Sequence, residues 1–121
     1  MNEAPANLDF WAALDHLIAS SEVVIDRPKG TAHPRMPHVI YPIAYGYLAG
    51  TSSGDGDGVD VWLGAEPARR LVAVVCTVDL TKRDTELKLL LGCTPDEMQT
   101  ILAWHNTGGM SGILIPRPAD V

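Results

Sequence analysis

Long runs of one kind are what this chain lacks. No apolar stretch in its 121 residues approaches the roughly 20 that cross a bilayer, no charged-then-apolar leader opens it, and no Lys/Arg run exceeds two residues. The first two absences lead to the expectation of a soluble, cytoplasmic protein without a membrane partner. The third, with a net charge of −6, removes the cationic track that nucleic-acid phosphates require. Cysteine is scarce as well. Cys76, inside the apolar run VAVVCTV, and Cys93, in LGCTP, lack metal-ligand spacing and are too few to staple a secreted scaffold, so both read as reduced packing residues. What is present, 46% apolar and 20% charged residues, fits one compact domain over residues 1–121 whose acidic surface suits cations.

The chain divides into four zones. Residues 7–20, NLDFWAALDHLIAS, set Leu14, Leu17 and Ile18 on one helical face with Phe10 and Trp11 a turn earlier, and Asn7 is placed to cap the helix. Residues 22–48 carry Pro28, Pro34, Pro37 and Pro42, which forbid a long helix and leave short strands around 22–26 and 39–47. VDVWLG and RRLVAVVCTVDL then read as β-branched strands, with ELKLLLG as a further strand or a short helix. Thr94-Pro95-Asp96-Glu97 combines a threonine N-cap, proline at the first helical position and glutamate three residues on. A late helix should start there, carry Met98, Ile101, Leu102 and His105 on one face, and stop at Gly108-Gly109 before the strand GILIP. Trp62 and Trp104 read as core aromatics. The pattern is an α+β domain, mainly β, with a helix near each end.

Between two strands lies GDGDGVDV, with Asp55, Asp57 and Asp60 inside six residues. Asp and Gly dominate turns for local reasons, and the same glycines let backbone approach a metal, so a solvated turn and a metal site both fit. Two sharper readings fail. A calcium loop with Asp55, Asp57 and Glu66 at its first, third and twelfth positions would put Asp60 where glycine is needed, and GTSSGDGDG lacks the Gly-Lys-Ser/Thr ending of a phosphate-cradling loop.

The flanks carry more. In IYPIAYGYLAGTSSGDGDGVDVWLG, the spacing from Tyr41-Pro42 through Tyr45-Gly46-Tyr47 to Asp55, Asp57 and Asp60 closely resembles the soluble family I inorganic pyrophosphatases, with Gly58 where that family usually has proline. Asp79 and Asp84 in CTVDLTKRD resemble the family's later pair of aspartates, and VVIDRPKG resembles its VIEIPKG-like strand. The resemblance implies an OB-type β-barrel of about five strands, closed or partly open, flanked by helices. It also implies several Mg²⁺ ions, with Mn²⁺ or Zn²⁺ as alternatives, and a small-molecule phosphate substrate. It assigns Asp55, Asp60, Asp79 and Asp84 to metal and Asp57 to the general base beside the attacking water. Tyr45 and Lys88 would meet phosphate oxygens, with either Asp84 or Glu86 taking the part of the aspartate that precedes the lysine. A hexameric homo-oligomer follows from the same likeness.

The departures define the alternatives. The family's KYE-like segment and the arginine before its YP motif have no counterpart in KGTAHPRMPHVIYP, and its late Tyr-Lys pair falls at His105-Asn106. Lys29, His33, Arg35, His38 and His105 are the cationic or ionisable groups on offer instead, and Lys82-Arg83 lies between the later aspartates. The chain therefore reads as an abbreviated pyrophosphatase, as a hydrolase of another phosphoanhydride, or as a metal- and anion-binding pseudoenzyme of the same fold.

Overall fold

The computed structural model describes residues 8–119, in the order α1 (Phe10–Ala19), β1 (Glu22–Arg27), β2 (Ala44–Ala49), β3 (Val59–Leu63), β4 (Leu71–Asp79), β5 (Asp84–Leu91), α2 (Pro95–Trp104) and β6 (Met110–Pro116). The strands form one open sheet in the order β1-β2-β3-β5-β4-β6. The fold is α+β and mainly β, as expected, but with six strands in place of about five and without closure. Every neighbouring pair is antiparallel except β3 and β5. That pair is parallel because the nine-residue β4 runs back on the far side of β5 before β5 returns to meet β3.

Alternation along the strands splits the core in two. On one face Leu48, Val61, Leu71, Val74, Leu89 and Leu91 receive Trp11, Leu14, Leu17 and Ile18 of α1. On the other, Tyr41, Ile43, Trp62, Ala73, Val75 and Leu90 pack with Ile101, Met98 and Trp104 of α2. Each helix is capped by its own chemistry. Asp9, one residue before α1, accepts from the Ala12 amide at 2.7 Å, whereas Asn7, the expected cap, lies outside the described residues. The capping box of α2 forms as its sequence indicated: the Glu97 amide donates to Thr94 Oγ1 at 3.2 Å and the Thr94 amide to Glu97 Oε1 at 2.9 Å.

Two segments differ from expectation. The strand expected over 39–47 starts only at Ala44, because Pro34, Pro37 and Pro42 lack ladder donors and residues 28–43 form an irregular loop. That loop is held by the Gly30 amide on the Tyr41 carbonyl, the Tyr41 amide on the Thr31 carbonyl, and a bridge between Ala32 and Ile40. ELKLLLG is strand, not helix: it is β5, paired on both sides at the centre of the sheet. At the β6 edge Asn106 acts as a substitute strand, its side chain accepting from the Gly112 amide and donating to the Gly112 carbonyl.

Candidate active site

The site face is the one that α2 covers only in part. Ladder partners share a face, so the pairs Tyr45↔Trp62 and Tyr47↔Asp60 on β2 and β3, with Val75↔Lys88, Thr77↔Glu86 and Asp79↔Asp84 on β4 and β5, set one continuous polar strip beside the aromatic core. Gly46 between the two tyrosines has a steric reason: a Cβ there would lie 1.8 Å from the Val24 carbonyl oxygen. The Tyr-Gly-Tyr spacing is therefore a packing requirement as well as a display of two phenols.

Lys88 is the hub. It is buried, and its ammonium donates to Asp60 Oδ2 at 2.7 Å, Tyr45 Oη at 2.9 Å and Glu86 Oε2 at 3.0 Å. Burial works against that charge, but Tyr45 and Asp60 more than offset it, so the ammonium is held above its ordinary range. Tyr45 is pushed up by burial and stays a neutral phenol. Glu86 is raised, first by burial, while Lys88 opposes the shift and a hydrogen bond with Asp55 reinforces it. Asp55 moves the other way, down to about 2, through Ser53, Glu86 and the Asp57 amide. Asp55 and Glu86 thus face each other with their acid groups shifted in opposite directions.

The loop 51–58 presents Asp55 by knitting itself together. Ser53 Oγ donates to Asp55 Oδ1 at 2.5 Å, the Asp57 amide to the same oxygen at 2.9 Å, and the Ser53 amide to the Asp57 carbonyl at 2.7 Å, with Gly56 at φ +89°. The turn reading and the site reading are both correct of this loop. Asp57 itself is exposed. Farther along the strip, Asp79 Oδ1 accepts from the Thr81 and Lys82 amides and so shapes the β4–β5 turn. Asp55, Asp79, Arg83 and Asp84 line one open cavity of about 590 Å³. A larger cavity of about 680 Å³ is lined chiefly by Val59, Cys76, Val78, Leu87 and Ile113 of the opposite face, so it is mainly apolar.

The anticipated residues are thereby sorted. Glu86, not Asp84, contacts Lys88, since they stand two apart on one strand face and Asp84 lies at the hairpin mouth. Asp60 joins Lys88, while Asp55, Asp79 and Asp84 face the cavity. Lys29 falls elsewhere: its charge acts on Glu97, whose carboxylate holds the Ala65 amide beyond the end of β3. Arg35 is exposed in the loop 28–43, its amide donating to His33 Nδ1. His105 is a correction. It is 2% exposed, accepts from Trp62 Nε1 at 3.0 Å on Nε2, and sets Nδ1 3.1 Å from Met110 Sδ. Burial, then Lys88, lowers it to about 3, so it is a neutral core group and not a cationic phosphate ligand. Arg27, opposite Tyr45 in the β1–β2 ladder, also stands on this face, which nothing in its neighbourhood in the sequence shows.

The donor set suits a hard divalent cation. All of it is oxygen, Asp55 and Glu86 bring two acid groups together where a bound cation would favour ionisation of both, and Thr77 Oγ1, opposite Glu86, is buried without a partner. Among the described residues no three His, Cys, Asp or Glu groups gather closely enough to hold one ion. Magnesium does not require three, since it is commonly held by one or two carboxylates with water and substrate phosphate completing the shell.

An open, mainly antiparallel sheet with a carboxylate strip beside its second helix is the class that fold and site define. No family model and no curated protein matches the chain, but solved structures do. It is similar to the inorganic pyrophosphatase of Helicobacter pylori, with a TM-score of 0.55 and 18% identity over 82% of this chain and 83% of that one. It is also similar to the inorganic phosphatase of Anaplasma phagocytophilum (0.54, 18%, 76% and 80%) and the inorganic pyrophosphatase of Coxiella burnetii (0.54, 14%, 76% and 81%). The fold is pyrophosphatase-like.

Proposed function

We propose that the chain hydrolyses a phosphoanhydride, inorganic pyrophosphate first among them, in a Mg²⁺-dependent reaction on the Lys88 face. The observation that carries this reading is the strip itself: Asp55, Asp60, Asp79, Asp84 and Glu86 on one face around a single buried ammonium. One positive charge does not balance that many carboxyls, and the surplus suits divalent cations. When bound, such cations would supply activation of water and neutralisation of charge on the departing phosphate.

The chain's own groups do the rest. Asp55 with Glu86, Asp60, and Asp79 with Asp84 would hold the ions. Asp57, exposed on its loop, would take the proton of the attacking water, and no covalent intermediate is needed. Tyr45 and Lys88 would donate to phosphate oxygens, with Lys88 also fixing Asp60. Arg35 and Lys29 both stand on the loop 28–43, which reaches the same face through Tyr41, with Lys29 on the side of Glu97. With this reading go a cytoplasmic location and a homo-oligomer, hexameric by likeness to the family.

A second reading has its own observation. Asp60 and Glu86 are already engaged by Lys88, and no three ligands gather among the described residues, which suits a pseudoenzyme that binds metal and anion without turnover. Phosphate release from pyrophosphate with Mg²⁺, Mn²⁺ or Zn²⁺ separates the two. Hydrolysis by the native chain that falls at least a hundredfold in Asp57→Asn and Asp60→Asn is expected. Release that both substitutions leave intact would sink the site assignment, and none with any metal would favour the pseudoenzyme.

A further inference from the structure

The β1–β2 ladder is regular from Glu22↔Ala49 to Ile25↔Gly46 and then slips, so that Arg27, not Asp26, stands opposite Tyr45. A bulge of this kind sets two residues against one and re-aims a side chain, and bulges recur beside active sites. Here the slip changes the sign of the charge delivered. Unbroken register would put Asp26 level with Tyr45, adding another carboxylate to an acidic strip, whereas the bulge puts a guanidinium there.

We infer that Arg27 is a phosphate-binding residue of this site, brought to it by the β1 bulge. The inference rests on the phosphoanhydride reading above. Three observations support it. Tyr45, its ladder partner, accepts from Lys88 at 2.9 Å, so a single phenol reaching from β2 over β3 to β5 links the Arg27 position to the hub. Arg27 lies near Tyr41, where its charge opposes the burial that raises that phenol, and the Tyr41 ring stacks on Tyr45 at 5.5 Å between centroids. Its remaining ties are weak: a 3.7 Å ion pair with Asp26 and a 3.1 Å hydrogen bond to that residue's carbonyl, with the side chain 36% exposed. A planar fork with several donors, anchored at one edge and open to solvent, matches the oxygens of a phosphate better than an ammonium does. The strip otherwise holds one strand-borne cation, Lys88, and that one is engaged by Asp60 and Glu86.

Calorimetry with imidodiphosphate, a pyrophosphate analogue with a P–N–P link, tests this in the presence of Mg²⁺. Loss of a charged hydrogen bond corresponds to roughly 10- to 100-fold in affinity, so Arg27→Gln should bind the analogue at least tenfold more weakly. KM for pyrophosphate should rise by a similar factor while kcat changes less. Arg27→Lys should recover only part of the loss, and Mg²⁺ titrated without the analogue should bind both variants as it binds the native chain. Deleting Arg27, which restores register and sets Asp26 opposite Tyr45, should bind more weakly still. Native affinity and KM in Arg27→Gln would overturn the assignment while leaving the hydrolase reading intact. Analogue binding without phosphate release would end the hydrolase reading yet still decide Arg27 through the affinities. A native chain that binds no analogue would end both.

Discussion

Two buried polar residues sit on the same sheet face, and they have opposite fates. His105 meets one donor, Trp62 Nε1, and one soft sulfur, Met110 Sδ, and burial keeps it uncharged. Lys88 meets Asp60, Glu86 and Tyr45, and those partners keep it charged against the pull of burial. The first centre is balanced: each ring nitrogen has a neighbour and no charge is left over. The second has more negative groups than its single cation answers, with Asp55 crowding Glu86. Burial alone therefore does not mark a site; uncompensated charge beside a buried group does.

The largest break in this comparison is Lys88→Met. Removing one partner from a buried charged cluster typically costs about 3–5 kcal/mol, and urea unfolding of the metal-free protein should show a loss of that order. Added Mg²⁺ should return part of it, since a cation would then answer Asp60 and Glu86. Trp62→Phe is the matching break at the balanced centre. It strips the donor from His105 Nε2 and should cost about 1–3 kcal/mol, with no recovery on adding Mg²⁺.

Acid sharpens the contrast. His105 lies near 3 when folded against 6.5 ordinarily, so the unfolded chain takes up a proton that the folded chain refuses. The stabilisation it gives is complete above about pH 6.5 and is lost as pH falls toward 3. Glu86, raised by burial, acts with the opposite sign, gaining stability on acidification. The difference between the denaturation midpoints of the native chain and His105→Gln therefore isolates the histidine, and it should shrink steadily from pH 6.5 downward.

Much of the fold was legible because its signals are local. The capping box at Thr94, the β-branched runs of β3 and β4, and the Tyr-Gly-Tyr spacing ahead of the acidic loop depend on neighbours within a few residues. What was not legible depends on register and on burial by distant segments. Asp84 and Glu86 lie four and two residues before Lys88 on the same strand face, and only the ladder with β4 shows that Asp84 stands at the hairpin mouth. The same holds for Arg27, because a one-residue slip in β1 leaves no mark in EVVIDR. His105 looked cationic until Trp62, 43 positions away, closed over it. Prolines announced the irregular loop 28–43, but not that it would carry Tyr41 into the core.

The central claim is that the Lys88 centre is short of positive charge and takes a divalent cation, whereas the His105 centre does not. Calorimetric titration of Mg²⁺ into the native chain, Asp55→Asn, Glu86→Gln and His105→Gln tests it most directly. Saturable binding is predicted for the native protein and for His105→Gln, weakened at least tenfold in Asp55→Asn and Glu86→Gln. No saturable binding to the native chain, or equal binding by all four, would contradict the account.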